Sequence, residues 1–394
     1  MTAGEIVNAA GDSEEDRRGR SGRSGRSGRS GRPRASTAAG GPGAGILPVI
    51  AGIGTKVPAD SYTQRDILDE FDISDPRVRS VFLNSGIERR YLGLSRRESD
   101  GARQVESQGE LLRRHAAQGV SLGRGAIEAC LQEVGASPSD VRYLCCVTST
   151  GFLTPGLSAR LIKEMGIPPD CARLDVVGMG CNAGLNGLTA VTGWSARHPG
   201  ELGVLACIEV CSAAYVVDSS MRASVVNSLF GDGAAAVSVL TAPARSPRQP
   251  ALLGFASRLI PEAIDAMRFD WDDTHGKFSF FLDPEVPYIL GAQAKQAVSG
   301  LLSGTGLRQS DIGHWVIHAG GKKVIDSVRI NLGLARHDVR HTIRVLRDYG
   351  NLSSASFLFS LERLMHEATV AAGDYGVVMT MGPGSTIEAA LIRW

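Results

Sequence analysis

Short apolar runs alternate with amphipathic stretches along most of this chain. Six runs of seven to nine residues are rich in Val, Ile, Leu, Ala and Cys and hold few charged side chains, as expected for strands that are buried on both faces. They lie at 141–149, 172–180, 203–211, 234–240, 314–320 and 375–382. Stretches with a helical period, such as 121–136 and 289–306, separate them. The alternation predicts an α/β protein with a largely parallel, doubly covered sheet.

The chain also resembles itself at a spacing of 171 residues. Each copy predicts a helix, a turn with glycine, a Ser-Asp pair and a strand, and the identical pairs are Ala126/Ala297, Leu131/Leu302, Gly135/Gly306, Ser139/Ser310 and Asp140/Asp311. The same shift carries Cys181 to the position after Asn351, and both residues open helical segments behind a glycine. The repeat predicts two similar α/β halves, residues 46–255 and 256–394, related by a pseudo-twofold axis.

Residues 1–45 differ from the rest because they contain the low-complexity tract RSGRSGRSGRSGR. The first 40 residues hold eight arginines and five acidic residues, a net charge of +3. Such a segment cannot bury apolar area, so we expect it to be disordered. A solvated extension is the simpler interpretation. The functional alternative is a tether for nucleic acid, although no aromatic residue stands among the arginines to stack on bases.

Composition narrows the function classes. The 394 residues carry 42 Lys+Arg and 41 Asp+Glu, so a net charge of +1 favours neither nucleic acid nor an anionic membrane as a partner of the whole chain. No apolar run reaches the roughly 18 residues that a membrane helix needs, and the polar N-terminus shows no secretory signal. Seven cysteines, an odd number, then predict reduced thiols in the cytoplasm and no disulfide framework.

One of these cysteines stands in a reactive position. A predicted strand ends at Val177, two glycines form a turn, and Cys181 opens a predicted helix. The helix dipole and the unpaired N–H groups of a first turn lower the pKa of a thiol. The other six cysteines are interpreted as small buried hydrophobic residues: Cys130, Cys145, Cys146, Cys171, Cys207 and Cys211. The glycine spacing around Cys181 does not fit a dinucleotide-binding turn.

Two further residues complete a candidate catalytic set. His318 ends an apolar run before a Gly-Gly pair, and Asn351 precedes a predicted helix. Taken singly, a histidine at a strand edge and an asparagine N-cap are the more ordinary interpretations. The pseudo-twofold axis, however, would bring the helix starts at Cys181 and Asn351 together, with His318 from a neighbouring strand end. A Cys, a His and an Asn at one site fit covalent thioester chemistry.

These residues stand in motifs that resemble a known family. The motifs are GMGCNAG (178–184), LFGDGAAA (229–236), IHAGG (317–321), YGNLSSAS (349–356) and MGPGSTIE (381–388). Together they resemble the thiolase-fold condensing enzymes and, among these, the type III polyketide synthases of the chalcone synthase family. The longer matches GMGCNAGLNGL, IHAGGKKVID and YGNLSSASFLFSLERL resemble the bacterial members that make 3,5-dihydroxyphenylacetyl-CoA for glycopeptide antibiotics. The resemblance implies a five-layered αβαβα fold and a homodimer.

The resemblance also implies a reaction. Cys181 would attack an acyl-CoA thioester with His318 as the ion-pair partner of its thiolate. His318 and Asn351 would then donate hydrogen bonds to the enolate formed when malonyl-CoA loses CO2. Malonyl-CoA would serve as starter and extender up to a tetraketide, which closes into an aromatic ring. No metal or other cofactor is needed, because the CoA thioesters are substrates.

Other residues are assigned to the pocket and to CoA by the same resemblance. The matching positions are Phe230 and Phe280 as gatekeepers of the cavity, Ser149, Thr150 and Ser353 in its lining, and Arg77 at the CoA entrance. Plant members carry more basic residues at that entrance, and here Ser80 and Asn84 stand at the other sites. We expect Lys322 and Lys323, which follow the Gly-Gly pair, to contact CoA phosphates instead.

Several alternatives stay open at this stage. Within the fold, the enzyme could be a type III synthase that makes a pyrone, a resorcinol or tetrahydroxynaphthalene, or a beta-ketoacyl synthase III type enzyme that condenses once. Outside enzymes, it could be a partner subunit with a nucleic-acid-binding tail. The intact set of Cys181, His318 and Asn351 argues against an inactive subunit.

Overall fold

The computed structural model describes residues 46–97, 99, 103–104, 106–215, 221–243, 248–367 and 369–394. The tail for which the sequence predicts disorder, residues 1–45, lies outside this part of the chain.

The described residues form thirteen strands and ten α-helices, joined by short 3₁₀ turns. The strands are β1 (Pro48–Lys56), β2 (Ser61–Thr63), β3 (Arg89–Tyr91), β4 (Val141–Thr148), β5 (Ala172–Val177), β6 (Leu202–Glu209), β7 (Gly233–Thr241), β8 (Ala251–Leu259), β9 (Met267–Asp272), β10 (Lys277–Leu282), β11 (Ile312–Ile317), β12 (Tyr375–Gly382) and β13 (Thr386–Arg393). The helices are α1 (Gln64–Glu70), α2 (Pro76–Leu83), α3 (Gln108–Val134), α4 (Leu157–Met165), α5 (Ala183–Arg197), α6 (Met221–Leu229), α7 (Val286–Leu302), α8 (Lys322–Asn331), α9 (Arg340–Tyr349) and α10 (Ser356–Met365). All six predicted strands and both helical stretches are present.

Nine strands form one continuous sheet in the order β11-β12-β13-β8-β1-β7-β6-β4-β5. Only β4/β5, β4/β6 and β11/β12 pair in parallel, and the other five pairs are antiparallel. The prediction of a largely parallel sheet is therefore wrong. One cause is visible in the sequence, since only Pro383–Ser385 separate β12 from β13, and so short a connection permits only antiparallel pairing.

The internal repeat is present in the strand pairing. The series β4, β6, β7, β1 and the series β11, β12, β13, β8 both run parallel, antiparallel, antiparallel. The two series meet where β1 pairs with β8 at Val49 and Ala251. Val141 and Ile312, which are 171 residues apart, open β4 and β11, each directly after a 3₁₀ turn. The sequence repeat thus corresponds to two copies of one α/β arrangement.

The helices cover the two copies in layers. Within β4, Leu144 and Cys146 pack with α3 in one core cluster, whereas Cys145 and Val147 belong to a second cluster with α5. Helix α5 contacts β4 and β6 of the first copy and β12 and β13 of the second, and α10 likewise contacts strands of both. Helices α5 and α10 therefore lie between the two copies, with α3 and α4 outside one and α7 and α8 outside the other. This is the five-layered αβαβα arrangement.

Helix α3 of the outer layer packs very closely against strand β1 at Gly54. A β-carbon on Gly54 would lie 2.2 Å from the backbone nitrogen of Cys130 and 2.5 Å from the carbonyl oxygen of Ala126, both in α3. Gly193 offers a contrast, because it lies exposed in α5 and a β-carbon there would meet no other side chain within 4 Å. Alanine substitutions at these two positions therefore distinguish the effect of tight packing on stability from the intrinsic cost of glycine to stability.

We predict opposite effects on stability for alanine at these two glycines. Gly54→Ala should lower the free energy of unfolding by about 1–3 kcal/mol because backbone atoms of α3 must move. Gly193→Ala should raise it by about 0.5–1 kcal/mol because alanine restricts the unfolded chain. Urea unfolding of both variants measures the difference, and equal effects would contradict the packing of β1 against α3.

Candidate active site

A pocket lies where β4, β6 and the middle helices meet. Its walls contain six of the residues for which the sequence predicts a role, together with seven others: Ser149, Thr150, Gly180, Cys181, Cys211, Ala214, Tyr215, Val226, Phe230, Phe269, Phe280, Ser353 and Pro383. The last of these comes from the MGPGSTIE motif. Residues from both copies of the α/β arrangement thus share one cavity.

Two glycines allow Cys181 to lie in the wall of this pocket. It lies in a 3₁₀ turn, Gly180–Asn182, that leads directly into α5. Gly180 has a φ of 69°, and a β-carbon there would lie 2.3 Å from Pro383. A β-carbon on Gly184 would lie 2.5 Å from the carbonyl oxygen of Ser354. Glycine therefore permits the start of α5 to touch the segment before α10.

That contact places Asn351 and Ser353 beside the sulfur of Cys181. The Ser353 hydroxyl donates to Sγ of Cys181 over 3.4 Å, and the Asn351 side chain also hydrogen-bonds to it. Oδ1 of Asn351 accepts from the backbone N–H of Ser353 at 2.8 Å, which orients the amide. Nδ2, the donor of that side chain, also makes a long bond of 3.5 Å to the carbonyl oxygen of Gly320.

His318 follows the end of β11, as the sequence predicts. Its backbone N–H donates to the carbonyl oxygen of Met379 at 2.8 Å, and its side chain is buried. Nδ1 has no hydrogen-bond partner among the described residues. The long bond between Asn351 and Gly320 connects the loop after His318 to the asparagine.

Burial controls the protonation of Cys181 and His318. It raises the pKa of Cys181 to about 12, against the weaker opposing effects of the hydrogen bonds from Ser353 and Asn351. Burial also lowers the pKa of His318 to about 4. The sequence prediction of a lowered pKa for Cys181 is therefore wrong. Desolvation outweighs the helix start, and both side chains are neutral at pH 7.

Glu209 is a functional candidate that the sequence reasoning missed. It ends β6 with no exposed surface, and its carboxylate accepts from the backbone N–H of Ser149 at 3.0 Å and from its hydroxyl at 2.9 Å. Ser354 donates to the same carboxylate from its N–H and its hydroxyl. The hydroxyls of Ser149 and Ser353 are 2.8 Å apart, so hydrogen bonds connect Glu209 to Cys181. A charge inside the apolar run GVLACIEVC was the available signal.

Aromatic rings form one wall of the pocket. Phe230 and Phe280 stand perpendicular with centroids 5.9 Å apart, and Phe269 lies 5.1 Å from Phe280. Phe269 comes from β9 of the hairpin with β10, and the sequence reasoning did not identify it. The structure brings the two predicted gatekeepers into contact with each other.

The three predicted CoA-binding cations lie outside the pocket. Arg77 is exposed at the start of α2, and Lys322 and Lys323 are exposed at the start of α8. The Lys322 side chain packs 3.6 Å from a β-carbon position on Gly86, shortly after α2 ends. The beginning of α8 therefore adjoins the end of α2, one helix length from Arg77.

Two kinds of feature are absent from the residues that the structure describes. No group of three His, Cys, Asp or Glu side chains in this part of the chain is arranged to hold a metal ion. No described helix has the length and apolar character needed to cross a bilayer.

The chain matches two family models in sequence order. Residues 43–243 match the N-terminal domain of chalcone and stilbene synthases, and residues 255–394 match the C-terminal domain of the same family.

Individual members of this kind of enzyme are also similar to the chain in sequence or in fold. A 3,5-dihydroxyphenylacetyl-CoA synthase of Streptomyces toyocaensis is 62% identical over 351 residues, covering 88% of this chain and 90% of the relative. The synthase of the same name from Amycolatopsis balhimycina is 63% identical over 344 residues, covering 87% and 92%. The crystal structure of 1,3,6,8-tetrahydroxynaphthalene synthase from Streptomyces coelicolor superposes with a TM-score of 0.80 at 26% identity, covering 88% of this chain and 99% of that one.

We predict that Ser353 lowers the pKa of Cys181. Ser353→Ala removes a donor to the sulfur, so the thiolate loses stabilisation and the thiol pKa rises. At a pH below that pKa, the rate of Cys181 alkylation by iodoacetamide should fall about fivefold, the effect of a weak hydrogen bond to a charged group. Mass spectrometry of the labelled peptide gives the rate as a function of pH.

Ser360→Ala is the matched control, because Ser360 is equally buried in α10 and bonds to the carbonyl oxygen of Ser356. Its alkylation profile should equal that of the parent. An unchanged profile for Ser353→Ala would contradict the assigned contact.

Proposed function

Since the chain belongs to the chalcone and stilbene synthase family of type III polyketide synthases, we propose that it converts malonyl-CoA into 3,5-dihydroxyphenylacetyl-CoA. Relatives that carry this product in their names are 62–63% identical over nearly the whole folded chain. The observation that carries the mechanism is the approach of Ser353 and Asn351 to the sulfur of Cys181. We further propose that the product enters glycopeptide-type antibiotic biosynthesis.

The first step is acylation of Cys181. Its proton passes to the imidazole of His318, and the thiolate attacks the thioester carbonyl while the bond to CoA sulfur breaks. The departing CoA thiolate then takes the proton from His318. Burial disfavours each charge formed alone, so we propose that the thiolate and the imidazolium form together, as an ion pair from which water is excluded. The proton transfer therefore belongs to the substrate complex, and the resting pair is neutral.

Decarboxylation supplies the carbon nucleophile. When malonyl-CoA loses CO2, the electron pair of the broken carbon–carbon bond enters an enolate whose charge rests on the thioester oxygen. Donors from His318 and from Nδ2 of Asn351 stabilise this charge as it develops. Nδ2 suits this role because its present bond to the Gly320 carbonyl is long and easily exchanged.

Chain extension and ring closure follow in the same cavity. The enolate attacks the acyl group on Cys181, a carbon–carbon bond forms, and the carbon–sulfur bond to Cys181 breaks, which leaves the longer chain on CoA. After four malonyl units have reacted, the terminal carbon of the tetraketide attacks the C3 carbonyl. The starter unit loses its carboxylate as the fourth CO2, and loss of one water and enolisation give the aromatic product. Loading of the starter and the two returns of the chain from CoA to Cys181 release three free CoA. Aromatisation makes this last step strongly downhill.

The pocket walls suit a reactive polyketone. The rings of Phe230 and Phe280 present an apolar wall at which we place the junction between the CoA tunnel and the cavity. The hydroxyls of Ser149, Thr150 and Ser353 line the cavity and can bind the ketone oxygens of the chain. Arg77, Lys322 and Lys323 would attract the CoA phosphates from outside.

Several finer features belong to the proposal. The reaction needs no metal or redox cofactor, because decarboxylation alone generates the carbanion. We assign the two halves to residues 46–255 and 256–394, and the reaction to the cytoplasm. We also propose a homodimer, which is supported by exposed apolar side chains near the free edge of β5: Phe152, Val177 and Met179.

The decisive test is incubation of the purified protein with malonyl-CoA alone. We expect mass spectrometry to identify 3,5-dihydroxyphenylacetyl-CoA or the free acid. A pyrone or tetrahydroxynaphthalene would replace the product assignment with another type III synthase. Absence of product until an aromatic or fatty starter is added would refute the use of malonyl-CoA as starter.

Active-site variants test the mechanism in the same assay. Cys181→Ala should abolish product formation, whereas Cys130→Ala, another buried cysteine outside the pocket, should retain it. Asn351→Ala removes one enolate donor and should lower the rate of CO2 release about 100- to 1000-fold. Full activity of Cys181→Ala would exclude the covalent route.

We also predict that Lys322 and Lys323 contribute to CoA binding. The double variant Lys322→Ala/Lys323→Ala should raise KM for malonyl-CoA about tenfold, equivalent to about 1.4 kcal/mol, with little change in kcat. The effect should shrink at high salt because exposed charges are screened. Lys163→Ala, an exposed lysine of α4, is the control. An unchanged KM in the double variant would remove both lysines from the site.

A further inference from the structure

Arg90 is a buried cation that the reaction above does not use. It lies in β3 with 0% of its surface exposed. Its Nη1 donates to the carbonyl oxygens of Asn227 at 2.6 Å and Phe230 at 2.7 Å, and to the Tyr215 hydroxyl at 3.1 Å. Its Nη2 donates to Oε1 of Gln64 at 2.8 Å. These acceptors are carbonyl, phenol and amide oxygens, so the guanidinium acts here through hydrogen bonds and not through an ion pair.

The same side chain supports the backbone that carries Asn351. Phe230 and Asn351 form an isolated parallel bridge, in which the N–H of Asn351 donates to Leu229 at 2.8 Å and the N–H of Gly231 donates to Asn351 at 3.0 Å. Gly350 lies directly over Arg90, since a β-carbon there would be 2.8 Å from Cδ of the arginine. Arg90 thus contacts the backbone on both sides of this bridge.

We propose that Arg90 is a positioning residue that sets the places of Phe230 and Asn351 together. This inference rests on the proposed function, because it assigns Phe230 to the cavity wall and Asn351 to the enolate. A planar guanidinium can satisfy several carbonyls in fixed directions, whereas the ammonium group of lysine cannot reproduce that fork. Tyr215 reinforces the arrangement by donating to the carbonyl oxygen of Phe230.

If Arg90 positions both residues, the rate of decarboxylation and the length of the polyketide product should change together. A shift of the Phe230 backbone changes the cavity wall, and the bridge transmits the shift to the amide of Asn351. Misplacement of a reacting group by about 1 Å can cost on the order of 100-fold in rate. Loss of the fork should therefore slow decarboxylation and also favour early release of shorter chains. A residue that only stabilises the fold would affect neither quantity at temperatures where the variant is folded.

The test compares the full-length protein with Arg90→Lys and Gln64→Met. Malonyl-CoA is the substrate, and the readouts are initial CO2 release, product ratio by mass spectrometry and the urea midpoint. Arg90→Lys should lower kcat about 10- to 100-fold with a small change in KM, and should raise the share of triketide lactone. Gln64→Met removes one acceptor of Arg90 without touching the pocket and should shift both readouts less, in the same direction.

Arg103→Lys is the matched control. Arg103 is a largely buried arginine that binds Glu70 and the carbonyl oxygen of Ser95, away from the bridge. It should lower the urea midpoint and leave the product ratio unchanged. If Arg90→Lys does not fold, Gln64→Met decides the question. Unchanged kcat and product ratio in the folded variants would overturn the positioning role.

A wrong product assignment can be distinguished from a wrong role for Arg90. If the parent protein releases CO2 from malonyl-CoA but makes another product, the proposed product is wrong. The ratio of CO2 release between parent and variant still measures the positioning of Asn351.

Discussion

The site depends on one close contact, between the start of α5 and the segment that leads into α10. A β-carbon on Gly184 would lie 2.5 Å from the carbonyl oxygen of Ser354 and 2.6 Å from the ring of Phe357, so no larger residue fits without movement of the backbone. Because α5 and α10 are packed between the two copies of the α/β arrangement, neither can retreat. Cys181 and Asn351 therefore face each other from rigid elements, which is the condition for precise catalysis.

Rigid burial has an electrostatic consequence. Burial raises the pKa of Cys181 and lowers that of His318, so the two side chains are a thiol and a neutral imidazole at pH 7. Burial also raises the pKa of Glu209, although four donors from Ser149 and Ser354 face its carboxylate. Since Ser149 donates its only hydroxyl proton to Glu209, the proton of Ser353 is shared between Ser149 and the sulfur. The state of the carboxylate can thus influence how well the thiolate is solvated.

The sequence predicted the parts of this molecule that depend on local pattern and on motifs. The buried strands, the repeat and the position of Cys181 before a helix all follow from apolar runs and glycines. The direction of strand pairing did not follow, because it depends on which connections cross over and which turn back. The predicted direction of the shift in the Cys181 pKa was also wrong, because the depth of burial is a property of the assembled layers. Arg90 was invisible for a similar reason, since its acceptors lie far away in sequence.

The two copies have diverged where the chemistry requires different partners. In the first copy, α4 and β5 lie between β4 and α5, whereas α8 and α9 take their place between β11 and α10 in the second. The first copy therefore continues into an additional strand, whose end leads directly to Cys181. The second copy has no such strand among the described residues, and the chain leaves β11 at His318 to begin a helix at Lys322 beside the loop after α2. One duplicated scaffold thus carries Cys181 in one half, and in the other half His318, Asn351 and the two lysines that open α8. The two copies thus differ in the segment between strand and middle helix, which is α4 and β5 in the first and α8 and α9 in the second, while α5 and α10 form the same middle layer.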